Sequence, residues 1–280
     1  MKKWKKICYG CLPFFTAFIL IYILTFFFLI GSGVVWGIFH YEQIRADSNV
    51  VSGLFLNEAW LKEIQILGNC FIYLVFCCVF GIWYKRGFLP KGGMRPQHRK
   101  EFSFPLIGGA MVLGISIQCF CSNVLNLILP LFPKIQSNYL ELLEDMGTGQ
   151  GIFPLLYMGI LAPIVEELIF RGLILGYEKR ELPFWCANFI QALFFGVYHQ
   201  NVVQFVYAFS IGLLLGYLCE RLQSLKMVML IHGIINISGN LFAFLKLDIL
   251  WEEKTDMFLG IGISMIAAIA SCLFLLRKKQ

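Results

Sequence analysis

Residues 13–38 read PFFTAFILIYILTFFFLIGSGVVWGI, a run without one charged side chain. About 20 apolar residues, rising ~1.5 Å each, carry a helix across a ~30 Å hydrocarbon core. The run is too long and continuous for a strand, and it lacks the alternation of a membrane barrel. Lipid offers backbone N–H and C=O groups no partner, so only a helix satisfies them there. Seven further segments read the same way: 64–84, 104–131, 151–176, 183–200, 202–219, 226–245 and 257–276. The expected fold is all-α: one polytopic membrane domain over residues 1–280, with about eight transmembrane helices.

Composition supports that expectation. Of 280 residues, 59% are hydrophobic and only 14% charged, and the mean hydropathy is +0.74. A soluble domain runs at about 25% charged, so this chain has too little polar surface to cover a globule in water. The net charge of +6 is scattered between apolar segments, so it speaks to topology and not to nucleic acid. With the N-terminus inside, 17 of the 23 Lys and Arg fall in inside segments (2–6, 85–100, 179–180, 221–226 and 277–279). Five fall outside: Arg45, Lys62, Lys134, Lys246 and Lys254. This bias predicts both termini on the cytoplasmic side of a multi-pass protein integral to the cell membrane. The basic N-terminus resembles a signal peptide, but its apolar run is about twice an h-region and no Ala-x-Ala follows; an uncleaved first span is expected.

Other features read as architecture. Most of the ten cysteines sit in spans as small apolar residues. Cys8 and Cys11 form a lone CxxC with no second pair for zinc. Gly212 and Gly216 form a GxxxG that permits close helix packing. In the outer loop 134–150, Ile135, Tyr139, Leu142, Leu143 and Met146 recur at helical spacing, predicting a short helix on the outer surface.

The ionisable residues inside the spans carry the chemistry. A charge at mid-bilayer costs about 2.5–3.5 kcal/mol on insertion scales, so such groups usually face a cavity and act there. Glu166, Glu167 and Arg171 share one span; His199 and His232 lie in or at the ends of two others, while His40 and His98 fall in loops or at a boundary. Glu167 and Arg171 are i,i+4 with the acid first, the favourable order for an ion pair. Glu167 then reads as structural, and Glu166 is left free to project into a cavity. Phe195 and His199 are i,i+4, as are His232 and Asn236. Asn236 suits either orienting an imidazole or donating to an oxyanion. By helical rise Glu166, His232 and Asn236 lie roughly 15, 9 and 15 Å from the cytoplasmic side. His199 would lie roughly 24 Å away on a straight helix from residue 183; a hairpin turning below the outer surface would bring it closer.

The ordered set Glu-Glu-x-x-x-Arg, Phe-x-x-x-His and His-x-x-x-Asn resembles the signature of the type II CAAX prenyl endopeptidases and their bacterial relatives. These are the CPBP (CAAX protease and bacteriocin-processing, or Abi) intramembrane proteases. The resemblance spans residues 150–245, as a catalytic core. It implies a membrane endopeptidase acting on a peptide or protein substrate, lipidated in the CAAX case, within the bilayer. It implies catalytic roles for Glu166, His199, His232 and Asn236, with Glu167 and Arg171 supporting. Two versions of the chemistry stay open. In one, Glu166 activates water, His199 positions it, and His232 with Asn236 donates to the oxyanion. In the other, Glu166, His199 and His232 hold zinc with an open position. The metal-free version is favoured, because no His-Glu-x-x-His is present and a ligated Glu166 leaves no carboxylate to act as base. The rival functions are a non-catalytic immunity or regulatory scaffold of the Abi type and a proton-relaying transporter. Inverted repeats and paired broken helices would mark the transporter, and the sequence has neither.

Overall fold

The computed structural model describes residues 3–47, 58–88, 102–247 and 254–277. His98, the basic residues at 91–100, Lys2, Lys278 and Lys279 lie outside the described residues. Eleven helices make up the described fold. They are α1 (Lys3–Gly10), α2 (Leu12–Phe39), α3 (Tyr41–Ala46), α4 (Glu58–Phe88), α5 (Phe104–Ile128) and α6 (Pro133–Asp145), followed by α7 (Ile152–Glu178), α8 (Phe184–Tyr198), α9 (Val202–Leu222), α10 (Leu225–Leu245) and α11 (Lys254–Arg277).

Seven of these, α2 (running on from α1), α4, α5, α7, α9, α10 and α11, are long and apolar enough to cross a membrane. The segment 183–200, expected as an eighth span, is corrected by the structure. Its helix α8 has 15 residues, about 22 Å at ~1.5 Å per residue, too short to cross alone. The turn after it is built from polar backbone devices. Gln200 takes a left-handed conformation at φ 54°, and the Asn201 side chain caps α9 by accepting from the N–H groups of Val203 (2.9 Å) and Gln204 (3.2 Å). This turn lies level with the middle of two long helices. Tyr22, near the middle of α2, donates its hydroxyl to Gln200 Oε1 at 2.9 Å, and Tyr73, midway along α4, has its hydroxyl beside that of Tyr198. His199 therefore sits at mid-depth, which removes the conflict that a straight helix from residue 183 creates.

Lipid tails are as apolar as Leu, so helix association here rests on packing and interhelical hydrogen bonds, not on the hydrophobic effect. The central helix is α7, 61% buried across its most apolar window, whereas that of α2 is left to the surroundings. Phe170, Leu173 and Ile174 of α7 pack with Phe76 and Phe80 of α4, Leu215 of α9, and Val228 and Ile231 of α10. The GxxxG glycines let α9 lie close against α8. A Cβ on Gly212 would stand 3.1 Å from that of Ala192, and one on Gly216 would collide with the Asn188 amide. Asn188 and Gln191 stitch the pair, with Asn188 Nδ2 donating to Leu213 O (3.0 Å) and Gln191 Nε2 to Gly212 O (2.9 Å).

At one end of the bundle α1 is tied to the end of α7. Lys6 pairs with Glu181 at 2.8 Å, and the Cys11 thiol donates to Glu178 at 3.6 Å. At the opposite end the short helix expected within 134–150 is α6, whose Tyr139 packs on Leu129 and Val203. Lys62 and Glu144 pair there at 2.8 Å, and the hydrogen bond and charge of Lys62 hold the Glu144 carboxyl below the usual carboxylate range. The connection to α7 turns on Gly147 and Gly149, at φ 72° and 74°, which side chains rarely adopt. It is held by Tyr157, donating to Met146 O (2.8 Å), and by the Gly149 N–H, donating to Asn240 Oδ1 (3.3 Å).

Candidate active site

Helix α7 is not regular where it carries the acids. Its path widens into π turns at Tyr157–Leu161 and Leu168–Ile174, with a short α stretch, Ala162–Glu167, between them. Such turns inside α-helices are frequent at functional sites. The first coincides with a close approach of α10: a Cβ on Gly233 would lie 3.0 Å from Gly159 O, and one on Gly159 would lie 2.6 Å from Ile237 Cγ1. Glycine at both positions lets the two backbones meet and brings His232 against α7. Gly233→Ala is expected to force α10 outward by a few tenths of an ångström and to lower stability by about 1–3 kcal/mol, as read by thermal unfolding in detergent micelles.

Glu166, Glu167, Arg171 and His232 form one buried cluster, at most 5% exposed. The expected i,i+4 ion pair is present, with Arg171 Nη1 donating to Glu167 Oε1 at 2.8 Å. Arg171 Nη2 donates to Gly212 O at 3.3 Å, and the guanidinium lies 4.4 Å over the Phe195 ring. The GxxxG segment thus also presents a carbonyl to Arg171, a role that its packing motif does not announce.

Glu167 does more than pair with Arg171. Its Oε1 also accepts from His232 Nδ1 at 2.8 Å. An ionised carboxylate only accepts, so Nδ1 of His232 carries a proton, and the opposite ring nitrogen is turned toward Glu166. His232 Nε2 stands 3.7 Å from Glu166 Oε2. The second oxygen of Glu166 is held from outside the motifs: Tyr73 on α4 donates its hydroxyl to Oε1 at 3.3 Å.

His199 caps the end of α8, half-buried, with its ring edge-on to Phe195 at 5.0 Å. Its Nδ1 is 2.8 Å from Phe195 O. A carbonyl accepts only, so Nδ1–H donates and Nε2 is left with a lone pair when the ring is neutral. The ring lies within electrostatic reach of Glu166, His232 and Arg171. Asn236 donates one amide hydrogen to Met158 O, in the first π turn, at 2.9 Å; its other N–H and its carbonyl oxygen remain. Neither Tyr73 nor the coupling of Glu167 to His232 follows from the sequence motifs. The signal for Tyr73 was the face Tyr73, Phe76, Phe80 of α4, where a single hydroxyl interrupts a phenylalanine stripe.

The donors that zinc would need are Glu166, His199 and His232. Among the described residues no three His, Cys, Asp or Glu side chains stand together in an arrangement that could hold a metal ion. His232 Nδ1 is bound to Glu167 and its Nε2 stands 3.7 Å from Glu166, an arrangement that a metal-bound histidine also adopts. Glu166, His199 and His232 do not converge as a ready-made metal set among the described residues, and the chemistry is derived from these side chains alone.

Fold and cluster together define a class: a multi-pass helical membrane protein with an acid–histidine centre buried between its helices. The sequence of that region has a likeness among known families. Residues 148–238 match the family model described as type II CAAX prenyl endopeptidase Rce1-like, and all six motif residues lie within that stretch. No curated protein and no solved structure matches the chain.

Proposed function

We propose that the protein is an intramembrane endopeptidase that hydrolyses a peptide bond with water activated by Glu166. The observation that carries this reading is the orientation of the two imidazoles around that carboxylate. Each has its Nδ1–H committed, His232 to Glu167 and His199 to Phe195 O, so both Nε2 atoms are available for chemistry. Glu166 takes one proton from water while His199 Nε2 accepts a hydrogen bond from the other. The hydroxide adds to the scissile carbonyl carbon. The oxyanion forms against the second N–H of Asn236 and the Nε2 edge of His232. Glu166 then returns its proton to the leaving amine, and the C–N bond breaks. A positioned base of this kind contributes about 10²–10⁴-fold.

The resemblance suggests a substrate with a prenylated C-terminal Cys motif, or the tail of a peptide precursor or membrane protein. The basic bias of the inside segments supports both ends lying on the cytoplasmic side, which requires α8 and α9 to enter and leave on that one side as a hairpin. The test uses protein purified into nanodiscs and an internally quenched peptide ending in farnesylated Cys-aliphatic-aliphatic-X, with an unprenylated peptide beside it. Cleavage that survives a strong chelator is the expected result. Failure to cleave either peptide overturns the peptidase reading; cleavage lost to chelator and restored by zinc overturns the metal-free mechanism.

A further inference from the structure

Among the described residues Glu166 has one hydrogen-bond donor, and it comes from a helix outside the family match. Tyr73 lies on α4, and its hydroxyl reaches Oε1 of Glu166 at 3.3 Å. The ring that carries the hydroxyl is fixed on two sides. It stacks on Tyr157 at 6.3 Å and packs against Phe76 at 6.2 Å, and Tyr157 is itself held by its bond to Met146 O. Along the inner face of α4 the neighbours Phe76 and Phe80 are fully buried and apolar. Phenylalanine would pack equally well at 73, so packing does not account for the hydroxyl. A buried hydroxyl is costly without a partner, and here the partner is the proposed base.

We propose that Tyr73 is a positioning residue for Glu166 in the hydrolysis described above, on which this inference rests. Its hydroxyl pins Oε1, so that Oε2 is the oxygen presented to His232 and to water. A carboxylate on a flexible side chain otherwise samples several rotamers, and a misplacement of about 1 Å can cost on the order of 10²-fold. Tyr198 extends the arrangement. Its hydroxyl lies beside that of Tyr73, and it directly precedes His199. The tyrosine pair thus bridges the base on α7 and the water-positioning histidine at the end of α8.

Two measurements on Tyr73→Phe test this. With the farnesylated quenched peptide, kcat is expected to fall ~10- to 100-fold while KM stays within about twofold, since the bond touches the base and not the peptide. Tyr84→Phe, about three turns further along the same helix with its ring against Gly172, should leave both constants unchanged. Difference infrared spectra against the matching Glu166→Gln protein isolate the Glu166 carboxylate stretch, which should shift in Tyr73→Phe without any turnover. An unmoved band overturns the inference, as does an unchanged kcat or an equal fall in Tyr84→Phe. Wild-type protein that cleaves while Tyr73→Phe matches it sinks this inference alone; wild-type protein that cleaves nothing sinks the peptidase reading and this one with it.

Discussion

Glu166→Gln is expected to lower kcat for peptide cleavage by at least ~10²–10⁴-fold, with KM and thermal stability close to those of the parent. The substitution is nearly isosteric. The amide oxygen can still accept from Tyr73, so the local hydrogen bond that holds the side chain survives. What disappears is the capacity to take a proton from water and hand it to the leaving amine. A loss confined to kcat marks an interaction used in the transition state and not in substrate binding. Retained cleavage would remove Glu166 from the mechanism whatever the fate of the other residues. Because the variant should bind substrate without releasing product, it also serves to trap membrane partners, whose identification by mass spectrometry would define the substrate class.

How far this site could be read from sequence depended on distance along the chain. The Glu167–Arg171 pair was legible because i,i+4 neighbours meet on any helix, and the structure has it at 2.8 Å. The bond from His232 to Glu167 spans 65 positions and exists only because Gly159 and Gly233 let α7 and α10 approach. No helical periodicity encodes that approach. The π turns around the acids were equally invisible, since no residue pattern read here predicts a five-residue hydrogen-bond register. The segment 183–200 reads as a full span because composition reports apolarity and not depth, whereas its helix is only 15 residues long. The Gln200–Asn201 step, a left-handed residue followed by a side-chain cap, was the available sign that α8 stops early. Tyr73 was missed for another reason: it lies outside all three motifs, on a helix whose aromatic stripe reads as packing.

Arg171 should prove the residue on which folding and chemistry are easiest to separate. Arg171→Leu leaves the Glu167 carboxylate with no counter-charge on the α7 side, at 0% exposure, where no water reaches it. Breaking a buried pair from one side costs about 3–5 kcal/mol, whereas replacing both members with apolar groups is often close to neutral. Glu167→Leu with Arg171→Met should therefore recover most of the stability that Arg171→Leu loses. Gly212 O, deprived of Arg171, still accepts from Gln191 at 2.9 Å, so the α8–α9 stitch persists in the double variant. His232 fares differently, because Nδ1 has lost the acceptor that sets its tautomer and aims Nε2 at Glu166. Losing the group that orients a catalytic imidazole costs on the order of 10²–10⁴-fold in rate. Thermal unfolding and peptide cleavage measured on the same three proteins should diverge, with stability restored in the double variant and activity still lost. Recovery of both together would mean that Glu167 and Arg171 only hold helices in place and that His232 needs no orienting partner. Recovery of neither would mean that the ion pair is required for assembly itself.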